Sequence, residues 1–290
     1  MNNTYIAVLG DLHGHITLAF RILRRWEIEH GHNFSAILQV GDFGAFPPPF
    51  RVDKATMRFY EKDPDELSFI DYYHGSTEAA EILSQDAIAS RRIVSNLYFI
   101  KGNHEDFTFL SNLPEPEDFP LAVDAYNKLY YLPNGKAFTI PAGDNHIKVA
   151  ALGGIAYNNQ WGKDPTSQYY TKSEYRRLCS EAQDTDILLT HDVPFNSLYE
   201  NAGSKDISDF LHRYQPKLHF SGHYHEPGHQ ILITGATRSF VLNAVKFRKP
   251  SQLNLGCIAI IEIQGNRAFD VSILNDTWIK EYRKDNFRYF

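Results

Sequence analysis

The stretch 10–15, Gly-Asp-Leu-His-Gly-His, decides how the rest of this sequence is interpreted. It follows the apolar run 5–9, Tyr-Ile-Ala-Val-Leu, which is typical of a buried strand. Asp11 and His13 therefore stand at the C-terminal end of a strand, where open α/β sheets bind their ligands. Alone the pattern is weak, since an aspartate at a strand end often serves only as a helix N-cap. The later strands decide whether these two side chains have partners.

Four more strand-like runs end in potential metal ligands. The ligand types are Asp, Asn and His, and the stretches are Gly41-Asp42-Phe43-Gly44, Gly102-Asn103-His104-Glu105, His191-Asp192 and Gly222-His223-Tyr224-His225. Helical periodicity over 16–26 separates the first two strands, and this strand–helix–strand order predicts a parallel α/β sheet. A single histidine is usually a core or surface residue, but coincidence is a poor explanation for the same setting five times.

The remaining pattern predicts one domain over 1–290, built from two sheet halves packed face to face. A helix is predicted over 77–92, and the sequence after 128 is rich in short strands. Residues 45–76 contain three consecutive prolines and are expected to form a surface insertion, either a binding loop or a tolerated excursion. The C-terminal tail 278–290 is expected to pack on the surface.

Composition limits the classes of protein further. The chain has 290 residues, of which 43% are hydrophobic, so a substantial core is expected. No run approaches the ~20 apolar residues of a membrane span, and the first strand begins within a few residues, so we expect a cytoplasmic protein without membrane partners. The net charge of −6 argues against broad non-specific nucleic-acid binding but leaves room for a local basic patch.

The ligand types indicate a particular chemistry. Imidazole, carboxylate and amide oxygen without thiolate suit divalent manganese, iron, zinc, cobalt or nickel. Two such ions ~3.5–4 Å apart clamp the attacking and leaving oxygens of an in-line displacement. Asp42, alone on its strand end, is the natural bridge between two ions, and a hydroxide shared by both would be the nucleophile.

The order of these motifs resembles that of the calcineurin-like metallophosphoesterase superfamily. The resemblance implies an α/β fold, a four-layer α/β/β/α sandwich of two mixed sheets flanked by helices, and a dinuclear metal centre. It implies two ligand sets, one for each ion: Asp11, His13, Asp42 and His225 for the first, and Asp42, Asn103, His191 and His223 for the second. It further implies that His104 faces the substrate, where it stabilises phosphoryl charge or protonates the leaving oxygen.

One arm of the superfamily fits less well. Serine/threonine phosphoprotein phosphatases continue their second motif into Asp-Arg-Gly, whereas residues 43–46 here are Phe-Gly-Ala-Phe. The phosphate-gripping arginine is therefore missing from that place. Stretches 41–44, 153–155, 190–194 and 220–223 instead resemble the branch near RNA lariat-debranching enzymes, although the debranching substrate itself is not implied.

These observations predict a phosphoesterase acting on a phosphodiester of a nucleotide, RNA or DNA. A phosphomonoesterase acting on phosphoprotein or a small metabolite is the alternative, and a catalytically silent binding scaffold is the second. Manganese is the first candidate for the two ions. Several residues beside the motifs could stack on a base or sugar, or else merely pack or support loops: Phe43, Tyr157, Asn158 and Tyr224.

Overall fold

Two β-sheets packed face to face form the centre of the protein. The computed structural model describes residues 3–117, 119–157, 167–181, 184–225, 230–249, 252–264 and 268–290. In chain order the strands are β1 (Thr4–Leu9), β2 (Phe34–Gln39), β3 (Leu97–Phe99), β4 (Leu121–Ala122), β5 (Leu129–Tyr131), β6 (Lys136–Ala142), β7 (Asn145–Leu152), β8 (Ile187–Thr190), β9 (Leu218–Ser221), β10 (Gln230–Thr234), β11 (Thr237–Val241), β12 (Phe247–Lys249), β13 (Gln252–Leu253), β14 (Ile258–Ile263) and β15 (Phe269–Ile273).

Most of the helices lie on the outer faces of these sheets. In chain order they are α1 (Ile16–His30), α2 (Lys54–Tyr60), α3 (Phe69–His74), α4 (Thr77–Leu83), α5 (Phe107–Asn112), α6 (Lys172–Glu181) and α7 (Lys205–Tyr214). Within the described ranges, none of these helices is long and apolar enough to cross a membrane.

The order of strands places the motif-bearing ends side by side. The first sheet runs β15-β14-β1-β2-β3-β5-β4, and the second runs β10-β11-β9-β8-β7-β6. β1, β2 and β3 are parallel neighbours in the first sheet, and β8 and β9 are parallel neighbours in the second. Since parallel neighbours end at the same edge of a sheet, each sheet presents its motif loops together.

Among the described residues, three apolar clusters fill the spaces between the layers. One cluster, with Val8, Leu38 and Phe220, lies between the two sheets. A second packs the first sheet against α1, α3 and α4, and a third packs the second sheet against α6 and α7. The order of layers is therefore helices, sheet, sheet, helices. The four-layer mixed α/β architecture is confirmed.

Two segments differ from the sequence-based prediction. The helix expected over 77–92 ends at Leu83, because the Ser84 backbone is extended and its hydroxyl accepts the Asp86 N–H. The 45–76 insertion packs partly into the core, where Phe69 and Tyr72 are fully buried. The tail 278–290 packs against α1, where Tyr282 is fully buried and its hydroxyl donates to the Arg21 carbonyl at 3.1 Å.

Candidate metal centre and active site

The first group of predicted ligands converges at the ends of β1, β2 and β9. Potential ligand atoms of Asp11, His13, Asp42 and His225 all lie within 4.8 Å of one another. The Nε2 atom of His225 is 2.6 Å from Oδ2 of Asp11 and 3.3 Å from Nε2 of His13. Two imidazoles and two carboxylates therefore face a common centre, although His225 is more than two hundred residues from Asp11 in the sequence.

Asp42 stands between this group and a second one. Its Oδ2 lies 3.6 Å from Nε2 of His13, and its Oδ1 lies 3.5 Å from Nε2 of His191. The same His191 nitrogen is 2.9 Å from Oδ1 of Asn103. The ring of His223 completes this side, with its centroid 5.1 Å from that of His191. The two oxygens of one buried carboxylate thus face two separate groups of donors.

Four of these residues hold an unusual backbone conformation. The φ angles are positive at His13 (43°), Asp42 (50°), His223 (70°) and His225 (51°). A non-glycine residue in the left-handed region costs about 1 kcal/mol or more, and such strain gathers at functional sites. Each tight turn aims a side chain inward from the end of its strand, so the fold bears this cost where the donors converge.

Two glycines leave room for the carboxylates. A Cβ added at Gly102 would lie 2.0 Å from both the backbone nitrogen and Oδ1 of Asp42. A Cβ added at Gly222 would lie 2.0 Å from Oδ1 of Asp11. These separations are far inside van der Waals contact, and therefore both positions exclude any side chain.

Backbone N–H groups fix the orientation of the two carboxylates. Oδ1 of Asp42 accepts the N–H groups of Asn103 at 2.6 Å and His104 at 2.7 Å. Oδ2 of Asp11 accepts the His223 N–H at 3.1 Å. The motif loops on β3 and β9 thereby hold the aspartates on β1 and β2. Each of these two loops therefore orients an aspartate of another strand and also supplies a candidate metal ligand of its own.

Glu105 anchors the Asp42 loop from behind. Its carboxyl group is 3% exposed and accepts the N–H groups of Phe43 at 2.7 Å, Gly44 at 3.1 Å and Ala45 at 2.6 Å. Sequence reasoning placed Glu105 in the third motif without giving it a function. Its position directly after His104 was the available signal.

His104 lies beside the donors and is held by the insertion. Its Nδ1 lies 3.1 Å from Oδ2 of Asp53, the residue that caps the N-terminus of α2. Burial acts to lower the pKa of His104, but the hydrogen bond to Asp53 raises that pKa above its ordinary value. Sequence reasoning missed Asp53, because an N-capping aspartate carries no pattern that links it to a distant histidine.

The electrostatics of the cluster favour charged carboxylates and two neutral imidazoles. Burial lowers the pKa of His13 to about 3 and that of His223 to about 4. Burial also acts to raise the pKa of Asp42, but the neighbouring imidazoles, His191 first, hold it well below its ordinary value. For His191, burial is outweighed by the carboxylates, so its pKa is raised. Neutral imidazole and ionised carboxylate are the forms that bind metal ions.

The donor set fits divalent cations. Asp11 and Asp42 are 0% and 1% exposed, and no lysine or arginine of the described residues forms an ion pair with either. Buried charges in proteins are normally paired or coordinated to metals. Oxygen and nitrogen donors facing two centres around Asp42 match what two borderline divalent ions require.

The residues predicted to contact the substrate lie in different environments. Phe43 is fully buried and stacks on Phe99 with ring centroids 4.2 Å apart, so its proposed role in substrate stacking is wrong and the residue belongs to the core. Tyr157 is 44% exposed and packs against Tyr169. Tyr224 lies beside the cluster, with its ring 4.8 Å from that of His223. Asn158 lies outside the described residues.

Fold and site together define a metal-dependent hydrolase of phosphate esters. The sequence profile of the calcineurin-like phosphoesterases matches residues 4–227. The chain therefore belongs to this family, whose members act on ester bonds and whose dinuclear divalent metal centre agrees with the donor cluster around Asp42. None of the curated proteins compared with the chain matches it.

Solved structures share the fold at low sequence identity. The protein TT1561 of Thermus thermophilus aligns with a TM-score of 0.51 and 13% identity, over 94% of this chain and 100% of that one. GAP50, the anchor in the inner membrane complex of Plasmodium, aligns with a TM-score of 0.53 and 13% identity, over 99% of this chain and 93% of that one. These likenesses establish the architecture and say nothing of the substrate.

Proposed function

We propose that the protein hydrolyses a phosphodiester of a nucleotide or nucleic acid with the help of two divalent metal ions. The observation that carries the proposal is the position of Asp42, whose two oxygens face His13 at 3.6 Å and His191 at 3.5 Å. A buried carboxylate shared by two groups of nitrogen and oxygen donors is what two closely spaced cations need. Manganese is our first candidate, and iron, zinc, cobalt and nickel are the alternatives.

The proposed ligands fall into two sets that share Asp42. The first set is Asp11, His13, Asp42 and His225, and the second is Asp42, Asn103, His191 and His223. When bound, the ions supply positive charge and Lewis acidity at the phosphoryl group. The protein keeps the shared carboxylate in place through the N–H groups of Asn103 and His104.

His104 is the proposed catalytic residue of the chain itself. Because its Nδ1 meets Asp53 at 3.1 Å, Nε2 is the nitrogen that can face the substrate. From there it can stabilise charge on the phosphoryl oxygens or give a proton to the leaving oxygen. Asp53 is a positioning residue, since it fixes the ring orientation and keeps the proton on Nδ1.

The surroundings of Asp42 favour a diester over a monoester. A terminal phosphate carries two negative charges and is commonly held by arginine, which forks onto two oxygens at once. The residues after Asp42 are Phe43, Gly44 and Ala45, and Phe43 points into the core. The nearby Arg51 is committed to Asp106, with Nη2 2.8 Å from Oδ2. A diester carries only one negative charge and depends less on such a clamp.

The test compares bis-p-nitrophenyl phosphate with p-nitrophenyl phosphate in the presence of added manganese. We expect faster hydrolysis of the diester, and a loss of roughly 10²–10⁴-fold in kcat for His104→Ala while metal content stays the same. The matched control is His212→Ala, which removes an exposed histidine of α7. Absence of hydrolysis of either ester by the metal-loaded protein would contradict the proposal.

Two other functions make different predictions. A phosphomonoesterase acting on phosphoprotein or a small metabolite would prefer p-nitrophenyl phosphate. A silent scaffold would bind no metal and show no stabilisation by manganese. Elemental analysis and thermal unfolding with and without chelator distinguish the scaffold from both enzymes.

A further inference from the structure

The insertion helix α2 bridges two sides of the group of candidate ligands around Asp42, here called the metal cluster. At its N-terminus, Asp53 contacts His104 at 3.1 Å. At its other end, the ring of Phe59 lies 5.6 Å from Nζ of Lys246. Lys246 follows Val245, whose N–H donates to the carbonyl oxygen of Asp11 at 2.8 Å. One short helix therefore reaches from the His104 side of the cluster to the Asp11 side.

This helix exposes large apolar side chains beside the site. Met57 is 42% exposed, Phe59 is 53% exposed and Tyr60 is 39% exposed, and Phe50 just before the helix is 48% exposed. By contrast, Thr56 in the same helix is buried. Neighbouring exposed aromatic rings at the edge of an active site mark a surface that a partner covers.

The same surface is rich in positive charge, although the chain as a whole is negative. Residues 50–62 together with Lys246 contain five basic and two acidic residues, in a protein whose net charge is −6. Among the described residues, Lys54, Arg58, Lys62 and Lys246 form no ion pair. Two of the acidic residues that follow are paired with basic side chains, Asp63 with Lys284 at 2.9 Å and Asp65 with Arg288.

We propose that residues 50–62 together with Lys246, the basic aromatic surface, bind single-stranded nucleic acid and lead its phosphodiester to the metal cluster. The inference rests on the phosphodiesterase function proposed above. Lysine and arginine match the backbone phosphates, while exposed rings offer faces on which unpaired bases stack. A duplex would hide its bases and leave the rings of Phe59 and Tyr60 without a partner.

A second stacking position adjoins the cluster at His223. Tyr224 is next to His223, and its ring lies 5.7 Å from that of Tyr199, which is 48% exposed. α2 adjoins the cluster at His104 through Asp53. A strand that stacks on the rings at both places would pass beside the candidate ligands.

The test measures kcat/KM for a labelled oligothymidylate and for bis-p-nitrophenyl phosphate in the same manganese buffer. For Phe59→Ala and Lys246→Gln, we expect the ratio of the two values to fall roughly tenfold. The matched controls are Tyr289→Ala and Lys280→Gln, an exposed ring and an exposed lysine on the C-terminal tail. If the paired variants and controls give the same ratio, the basic aromatic surface does not bind the substrate.

Binding measured in chelator separates this inference from the proposed function. Fluorescence anisotropy should show single strands binding more tightly than duplex, and Lys246→Gln should reduce the slope of log K against log salt by about 0.7. Hydrolysis of the small diester without oligonucleotide binding would refute nucleic-acid binding by the basic aromatic surface, and the proposed phosphodiesterase activity would stand. Oligonucleotide binding that weakens in the variants, without hydrolysis of any ester, would support the proposed binding surface and refute the proposed phosphodiesterase activity. Equal binding of duplex and single strand would also overturn the inference.

Discussion

Replacing Glu66 by glutamine should stabilise the protein, and increasingly so as the pH rises. Glu66 lies in the 3-10 helix Pro64–Leu67 of the insertion and is only 3% exposed. Its Oε2 atom is buried and has no hydrogen-bond partner among the described residues. Burial raises the pKa of this carboxyl from its ordinary 4.5 to about 7, because the charged form loses its hydration.

The size of the effect follows from the difference between the folded and unfolded states. A raised pKa means that the native state holds the proton more tightly, so the contribution of Glu66 to stability is complete below pH 4.5 and is lost as the pH rises through 7. Relative to its value at low pH, the free energy of unfolding is lower by about 1.4 kcal/mol at pH 5.5 and by about 3.4 kcal/mol at pH 8.5. Glutamine remains neutral, so its advantage should grow by about 2 kcal/mol over this range.

Urea unfolding at both pH values measures this advantage directly. Chelator in every sample keeps the metal content constant while the pH changes. The control is Glu61→Gln, an exposed carboxylate of the same insertion, for which we expect no growing gap. A difference between Glu66→Gln and wild type that stays constant from pH 5.5 to 8.5, or that shrinks, would refute the reasoning.

Three further predictions concern the site and its support. Phe43→Ala should lower the free energy of unfolding by about 3–5 kcal/mol, and Tyr224→Ala by much less; equal losses in urea unfolding would contradict the core assignment of Phe43. Glu105→Gln should weaken manganese binding roughly 10–100-fold, because the Asp42 loop loses its anchor. Unchanged affinity in calorimetry would show that the loop keeps its conformation without the Glu105 hydrogen bonds. Gly222→Ala should lower bound metal in elemental analysis through the collision with Asp11, whereas Gly31→Ala, with no neighbour within 4 Å, should keep it.

The candidate metal ligands could be predicted because their positions depend on simple topology. Each follows a run of apolar residues, and parallel strands end at a common edge. Strand–helix–strand order near Asp11 and Asp42 was therefore enough to bring these two side chains together. The strands that carry His191 and His223 are in the other sheet, and their approach to Asp42 depends on how the two sheets pack. For that step the family resemblance supplied what periodicity could not.

The supporting residues could not be predicted, because their roles arise from tertiary contacts without a local pattern. Asp53 is an ordinary helix cap by sequence, and Lys246 lies beyond the last motif. The burial of Phe43 in the core could not be predicted either, because an aromatic residue beside a motif gives the same sequence pattern in a core and in a binding site. Only the stacking of its ring on Phe99 at 4.2 Å separates the two interpretations.

The ligand motifs and the insertion differ in how freely their residues can be substituted, and this difference bears on substrate specificity. Asp11 and Asp42 are buried and tied to backbone N–H groups, and Gly102 and Gly222 tolerate no side chain, so the group of candidate ligands has little freedom to vary. The exposed residues of α2 carry no such constraint, although the helix touches His104 through Asp53. Substitutions at the exposed positions of that helix should therefore leave the candidate metal ligands around Asp42 in place.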